Sequence, residues 1–310
     1  MTLILSCSTN KSITTVDEKH GKLNIQYTLN RLFSSTLKGH VTDLESNEPL
    51  IDIKIILINS DGKTFGVITD QEGNFNLNNI PLGNYKIEIR GFGYEQIESQ
   101  IKIESHTDFM LDVKLNRYII QVEKPIIYLY PTQKQKISVK LNFKGTLTHT
   151  YPKSKENGWT LTGEPNGTLW DENGTEYYAL FWEGEPAQNI IPTSGFVVKG
   201  EETAKFLEEK LSFLGLNRKE ANEFILYWLP RMENNPYNFI HFAGSEYEEQ
   251  AELRVFPQPE TSIRVMMLTQ PLKSHLNFPI QDLTSHKRKR NGFTLVEWGG
   301  TTIHFINENF

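Results

Sequence analysis

Cysteine is nearly missing from this sequence, and so are long apolar runs and any excess of positive charge. Cys7 is the only cysteine among 310 residues, which excludes an intramolecular disulfide. No segment approaches the roughly 20 consecutive apolar residues that a membrane-spanning helix requires. The formal net charge is −6, whereas proteins that bind nucleic acid present clustered basic surfaces. We therefore expect neither a helical membrane protein nor a nucleic-acid partner.

The motifs of several enzyme classes are missing as well. The chain has no G-x-S-x-G serine motif, no G-x-x-x-x-G-K-[ST] phosphate loop and no HExxH or paired-cysteine spacing. His241 and His304 each lie between apolar residues of a predicted strand. If those strands pair, the two rings can join Glu183 or Glu246 in a metal site. A structural histidine is the commoner outcome of such a pattern. We expect no metal and no cofactor.

The position of the single cysteine is informative. Cys7 follows the apolar run Leu3–Leu5 and the small residue Ser6, and the polar stretch Ser8–Ser12 comes next. This junction resembles the end of a bacterial lipoprotein signal, in which the cysteine is acylated and becomes the new N-terminus. The basic and fully apolar regions that normally precede such a cysteine are missing after Met1. The resemblance implies a lipid anchor at Cys7, and an ordinary N-terminus with a stray cysteine is the alternative.

Hydrophobic residues make up 38% of the chain and aromatic residues 11%, enough for the cores of two domains. Residues 1–36 are polar apart from a weakly alternating segment at Leu23–Leu29. We interpret them as a signal remnant and a polar tether, in which Leu23–Leu29 can add one strand. In residues 37–121, short alternating segments are separated by turn signals about every ten residues. This spacing is typical of an antiparallel β-sandwich.

The order of motifs in this segment carries a family resemblance. GHVTD, EPL, TDQEGNF, IPLGNYKIEI and GFGYE follow one another between residues 39 and 95. Together they resemble the carboxypeptidase regulatory-like domain over about residues 37–115. The resemblance implies a transthyretin-like β-sandwich without catalytic activity, so that Asp70 and Glu72 form turns and do not act as acids.

The stretch EKPIIYLYP, Glu123–Pro131, opens a segment of a different pattern. Strand alternation places Tyr128 and Tyr130 on one face and the apolar residues between them on the other. Prolines at both ends fit the ends of a strand or a sheet edge. We therefore expect the first strand of a second domain, residues 122–310. Its tyrosines should pack in an aromatic layer while their hydroxyls contact polar partners.

The second domain combines strand and helix patterns. A helix is predicted over residues 201–214 with Gly215 as its stop, and a capping box at Asn217 begins another that ends before Pro230. Strand-like segments lie on both sides of this helical hairpin, which predicts an α+β domain with a large, mainly antiparallel sheet. The motifs KPIIYLYP, FWEG and EWGG resemble a widespread bacterial group of uncharacterised proteins. That resemblance supplies a domain boundary and implies no mechanism.

Two motifs place a carboxylate beside an indole at the end of a predicted strand: Trp182–Gly184 and Glu297–Gly299. Glycosidases use two carboxylates and aromatic platforms, so Glu183 and Glu297 form a candidate catalytic pair. The candidate ligand contacts are Trp182, Trp298, Tyr128 and Tyr130. In the competing explanation the tryptophans belong to the core. The glutamates then pair with Arg231, Arg254 or Arg264.

The dense basic run His286–Arg290 is also open to two interpretations. It is followed by Asn291–Gly292, a strong hairpin signal, so we favour a solvated hairpin loop over a patch for an anionic ligand.

Two functions from different classes compete. We favour a lipid-anchored protein of the bacterial cell envelope, an outer-membrane lipoprotein that faces the periplasm or the cell surface. Its second domain would bind an envelope glycan or another envelope protein without catalysis. The alternative is a secreted hydrolase that acts on glycans through Glu183 and Glu297. Only the alternative requires both carboxylates in one concave pocket.

Overall fold

The computed structural model describes residues 11–17, 21–29, 35–91, 93–103, 107–118, 122–156 and 158–303. Cys7 and His304 lie outside these ranges. The chain divides into two compact units, Met1–Tyr118 and Ile119–Phe310. Strands account for 54% of the described residues and helices for 14%, so the predicted β-rich fold class is confirmed. No helix among the described residues combines the length and the apolar character that a membrane span needs.

The N-terminal unit is a sandwich of two sheets. Its strands are β1 (Lys11–Asp17), β2 (Gly21–Leu29), β3 (Ser35–Asp43), β4 (Lys54–Asn59), β5 (Thr64–Ile68), β6 (Asn74–Ile80), β7 (Gly83–Arg90), β8 (Ile97–Ile103) and β9 (Thr107–Leu115). One sheet has the order β1-β2-β9-β3-β6 and the other β5-β4-β7-β8. Ile55 and Ile87 of the second sheet share a core with Leu37 and Leu111 of the first. Inward and outward side chains alternate along these strands, which leaves the intervening polar residues in solvent.

The segment expected to be a tether contributes two strands to this sandwich. β2 pairs along its whole length with β9, and β1 pairs with β2. Leu23 and Ile25 are buried in the core because strand alternation turns both side chains inward. The strand expected at Leu23–Leu29 is therefore present as β2, whereas β1 at Lys11–Asp17 is a second strand where a polar tether was expected.

The C-terminal unit contains two sheets and a helical layer. Its strands are β10 (Glu123–Tyr130), β11 (Gln135–Phe143), β12 (Gly145–Tyr151), β13 (Gly158–Gly163), β14 (Leu169–Trp170), β15 (Glu176–Tyr177), β16 (Leu180–Pro186), β17 (Phe196–Lys199), β18 (Tyr237–Ala243), β19 (Ala251–Phe256), β20 (Thr261–Leu272) and β21 (Thr294–Thr302). Its helices are α1 (Thr203–Leu214), α2 (Arg218–Trp228) and α3 (Ser245–Gln250). The sheets have the orders β12-β16-β10-β21-β20-β18-β17 and β15-β14-β13-β11-β19.

The two long helices cover one face of the seven-stranded sheet. Leu207 of α1 and Phe224 of α2 pack in one core with Val296 and Trp298 of β21. The helix boundaries follow from the sequence: α1 ends at Gly215, which has φ of 104°, and α2 begins with the predicted capping box. The predicted helical hairpin and mainly antiparallel sheet are confirmed.

The last two strands pair in parallel, and this overturns one local prediction. β20 and β21 run side by side from Thr261↔Thr294 to Thr269↔Thr302. Parallel strands need a long crossover, so Asn291–Gly292 does not form a two-residue hairpin. Arg290, in the basic run before it, donates a hydrogen bond to the buried carboxylate of Glu220.

Each unit has an apolar core of its own, so we expect residues 122–310 to fold without the sandwich. The purified fragment should be soluble and should lose its circular dichroism in one cooperative thermal transition. A fragment that aggregates, or exchanges all its amide protons at once, would contradict this independence.

Candidate functional site

Glu297 lies on a central strand of the seven-stranded sheet and is 1% exposed. Its Oε1 accepts a hydrogen bond from Trp182 Nε1 at 3.0 Å. Its Oε2 accepts from the Tyr247 hydroxyl at 3.1 Å and from Arg264 Nε at 2.7 Å. Arg264 Nη2 lies 2.7 Å from the same oxygen and donates to the Ala251 carbonyl at 2.6 Å. The carboxylate is therefore surrounded by donors and belongs to a buried ion pair.

The charges in this cluster stabilise one another. Burial opposes the positive charge of Arg264, but attraction to Glu297 outweighs it and raises the pKa of the guanidinium above its ordinary value. Burial, and then the negative charge of Glu297, raise the pKa of Tyr247 well above its ordinary value. Tyr247 is therefore a neutral phenol at physiological pH, and its hydroxyl donates a hydrogen bond to the carboxylate.

Glu183 lies on the opposite face of the same sheet. On β10, Ile127 pairs with Glu297 on one side and with Leu180 of β16 on the other. Leu180 and Trp182 therefore share a face with Glu297, and strand alternation turns Glu183 away from it. Because the sheet separates the two carboxylates, no substrate can contact both. The pocket that the hydrolase hypothesis requires is not formed.

The surroundings of Glu183 are a charged surface cluster on the helical side of the sheet. Its Oε2 lies 3.6 Å from Nδ1 of the exposed His149. Nearby, burial and a 2.8 Å hydrogen bond to Glu123 raise the pKa of Tyr227 to about 12. Lys124 and Arg231 lie over the Tyr227 ring, 4.4 and 4.1 Å from its centroid. The negative charges of Glu123 and Glu183 are thus balanced by the positive charges of Lys124 and Arg231. These four groups surround the neutral phenol of Tyr227.

The last glycine of each motif, Gly184 in FWEG and Gly300 in EWGG, is required for packing. A Cβ atom at Gly184 would lie 2.6 Å from the Phe143 ring, and one at Gly300 would lie 2.4 Å from the Trp228 ring. Both distances are shorter than carbon atoms tolerate, so each glycine lets an aromatic ring approach the strand directly. The motifs FWEG and EWGG therefore build the core and do not open it to a ligand.

The tyrosines of EKPIIYLYP form the predicted aromatic layer. The Tyr128 ring stacks on Tyr130 with centroids 6.4 Å apart and an interplanar angle of 4°. The Tyr128 hydroxyl donates to the carboxylate of Glu223 on α2 and accepts from Trp298 Nε1 at 3.2 Å. Burial, and then the hydrogen bond to Glu223, raise the pKa of Tyr128 above its ordinary value. Trp182, Trp298 and Tyr128 are each at most 2% exposed, so three of the four candidate ligand contacts are inaccessible to a ligand.

His241 is a structural histidine of β18. Its Nδ1 lies 2.8 Å from the Ser194 carbonyl oxygen, and its Nε2 lies 3.3 Å from Glu246 Oε1. Both ring nitrogens thus have partners within the protein. Across the ranges that the structure describes, no three His, Cys, Asp or Glu side chains are placed to hold a metal ion. Since His304 lies outside those ranges, a site that pairs the two histidines stays a hypothesis.

Two open grooves of the C-terminal unit were not predicted. The edge groove, of about 600 Å³, is lined by Gly195–Val198, by side chains of α1 and by residues of the 275–280 segment. The polar groove, of about 680 Å³, lies at β11 and β13 and is lined mainly by polar and charged side chains. Each groove is assembled from segments far apart in sequence, so no local pattern indicates it. Ile280 of the edge groove is 81% exposed, and this exposed apolar side chain is evident only from the fold.

Several solved structures resemble this chain at a distance. Catechol 1,2-dioxygenase from Acinetobacter sp. ADP1 is 11% identical, with a TM-score of 0.23 over 28% of this chain and 54% of its own. The chain thus spans about half the length of the dioxygenases it matches. A streptococcal ancillary pilin is 12% identical, with a TM-score of 0.25 over 57% of this chain and 68% of its own. BcpA, the major pilin subunit of Bacillus cereus, is 11% identical, with a TM-score of 0.26 over 53% and 62%.

Likeness at this level carries no argument about fold or function. No curated protein matches the chain significantly. The family comparison is specific to one segment, residues 37–127, which match the CarboxypepD_reg-like domain. The match begins within β3 of the N-terminal sandwich and extends past Tyr118 into β10. It supports the carboxypeptidase regulatory-like domain that the motifs predicted.

Proposed function

We propose that this chain is a lipid-anchored protein of the bacterial cell envelope whose C-terminal unit binds a ligand without catalysis. The junction at Cys7 favours the anchor, and the CarboxypepD_reg-like match adds a domain for which we expect no catalytic role. The proposed location is the outer membrane, facing the periplasm or the cell surface. The proposed partners are an envelope glycan or another envelope protein. The same proposal assigns the second unit to the bacterial group that its motifs KPIIYLYP, FWEG and EWGG resemble.

The observation that carries the binding role is the separation of the two carboxylates by a β-sheet. A glycosidase needs its two carboxyl groups about 5–9.5 Å apart on either side of one sugar bond. Glu297 instead pairs with Arg264 in the interior, and Glu183 faces the helical side. The open space of the unit lies elsewhere, in the edge groove and the polar groove. Binding in a groove is therefore better supported than acid–base catalysis between the two glutamates.

The anchor predicts how the protein fractionates. Expressed from its native gene, the parent should partition into the detergent phase of a Triton X-114 extract, because a thioether-linked diacylglycerol makes it amphiphilic. The Cys7→Ser variant should move to the aqueous phase. A Ser8→Ala variant keeps the thiol and serves as the matched control. If the Cys7→Ser protein still fractionates with the membrane, the lipoprotein hypothesis fails.

A further inference from the structure

We propose that the edge groove takes an extended, apolar polypeptide segment, which adds to β17 as a further strand of the seven-stranded sheet. The proposal deepens the binding role proposed above by naming its partner, and it rests on that role. Four observations carry it: the position of β17, the direction of its backbone groups, a pairing that the chain already makes at this edge, and the chemistry of the groove walls.

β17 is an outermost strand of its sheet among the described residues, and it pairs on one side with β18. The groove is lined by four consecutive residues, Gly195–Val198. Neighbouring side chains of a strand point to opposite faces. Space that contacts all four residues must therefore run along the backbone edge of β17 and not over one face of the sheet.

The hydrogen-bond pattern shows which backbone groups face this space. Gly195 N–H donates to the Pro279 carbonyl at 2.8 Å, and Gly195 C=O accepts from Gln281 N–H at 3.3 Å, so both groups point away from β18. In an antiparallel ladder, alternate residues direct their backbone groups to the same side. The N–H and C=O groups of Val197 therefore also point outward. The next outward carbonyl, of Lys199, already accepts from Thr203 Oγ1 at 3.0 Å.

The chain itself supplies a short example of strand addition at this edge. Ile280 pairs in parallel with Gly195, next to the first residue of β17. The next residue binds the neighbouring strand: the Gln281 side-chain amide accepts from Phe242 N–H of β18 at 3.0 Å and donates to Phe242 C=O at 2.7 Å. The backbone pairing between Ile280 and Gly195 is at one end of the groove, which continues along β17 to Val198. The groove is thus a continuation of an edge that already binds extended backbone.

The walls of the groove select an apolar occupant. Phe196 and Phe206 lie 5.1 Å apart, and Ile280 is 81% exposed beside them. The charged residues that line the groove are Glu202, Lys205 and Glu209. Because these charges are of both signs, an uncharged segment is favoured over a charged one. Four strand residues span about 13 Å, so the segment needs four or five residues with apolar side chains at alternate positions.

The test measures peptide binding to the purified full chain by fluorescence anisotropy. The probes are labelled heptapeptides, blocked at both ends, in which valine or leucine alternates with threonine. We expect saturable binding that weakens by about tenfold or more when the three central amides are N-methylated, because strand addition requires the alternate N–H groups among them. Val197→Pro should weaken binding to a similar extent. It removes an outward N–H and leaves the ladder to β18 in place.

A second pair of variants tests whether the apolar lining of the edge groove contributes to peptide binding. Ile280→Ser should weaken binding, whereas Leu226→Ser should not, because Leu226 is a 68% exposed side chain of α2 that does not line the groove. The proposal is overturned if no heptapeptide binds saturably, or if N-methylated and unmodified peptides bind alike. A concentration-dependent dimer of the parent that Val197→Pro abolishes would also overturn it, since the edge would then belong to a second copy. None of these outcomes depends on the anchor, which Cys7→Ser tests separately.

Discussion

Replacing Glu297 by glutamine will lower the free energy of unfolding of the C-terminal unit by about 3 kcal/mol or more. The substitution keeps the shape of the side chain but leaves the charge of Arg264 buried and uncompensated. Removing one partner of a buried ion pair is costly for this reason, even where the intact pair contributes little net stability. All five tryptophans lie in the C-terminal unit, so their fluorescence in a denaturant titration follows this unit alone.

Two further variants make the explanation specific. Glu183→Gln should change the stability by no more than about 0.5 kcal/mol, because its carboxylate lies in a partly solvated cluster of balanced charge. The double variant Glu297→Leu with Arg264→Met should recover part of the lost stability, since apolar residues of similar volume leave no buried charge. The recovery is incomplete because Trp182 Nε1 and the Tyr247 hydroxyl lose their acceptor. A Glu297→Gln protein as stable as the parent would show that the ion pair is not what holds these strands together.

The second large effect belongs to the sandwich: Asp43→Asn should destabilise it by about 2–3 kcal/mol at pH 7. Asp43 is 1% exposed at the end of β3. Its carboxylate accepts hydrogen bonds from Arg117 Nε at 2.6 Å and from the Tyr94 hydroxyl at 3.0 Å. The backbone N–H groups of Glu45 and Ser46 donate to it at 2.9 Å each. An amide at this position has one acceptor oxygen, no charge, and an NH₂ group that faces other donors.

The same residue predicts how the stability depends on pH. Burial opposes the charge of Asp43, but the hydrogen bonds from Arg117 and the backbone outweigh it and hold the pKa well below its usual range. The unfolded chain binds this proton near pH 4, so the stabilisation is complete above that pH. It is lost as the pH falls toward the folded-state pKa. Asp43→Asn should therefore flatten the acid dependence of the sandwich between about pH 5 and 2.

Hydrogen exchange of peptides from β4 and β7 in the full chain measures this effect, because both strands are central to one sheet of the sandwich. Asp61→Asn is the matched control, since Asp61 lies in an exposed turn. Equal protection of the parent and Asp43→Asn at pH 7, with the same loss on acidification, would refute the role given to this carboxylate.

Local features of both units could be predicted because neighbouring residues determine them. The capping box at Asn217, the stop at Gly215 and the tyrosine face of EKPIIYLYP depend on spacings of a few residues. The sandwich motifs likewise lie within residues 37–127, the segment that matches the CarboxypepD_reg-like domain.

The prediction that Glu183 and Glu297 share a pocket was wrong because it depends on how separate strands pair. Glu183 and Glu297 each follow the predicted local pattern, but whether they share a face depends on the register of both strands against β10. A single sequence does not contain that register. The parallel pairing of β20 with β21 and the residues lining the edge groove are non-local for the same reason. The sequence predicts a ligand contact at Trp182, but its indole is buried and donates a hydrogen bond to Glu297.

The most direct test of the central claim, that the two glutamates support a binding protein and do not catalyse, compares three proteins on one panel of envelope glycans. The parent, Glu183→Gln and Glu297→Gln are assayed for glycan binding and hydrolysis below their melting temperatures, and their thermal melts are recorded in parallel. We predict no hydrolysis by any of them and equal glycan binding, with a melting temperature several degrees lower for Glu297→Gln alone. Glycan hydrolysis or binding that is lost in either variant at unchanged melting temperature would contradict the account.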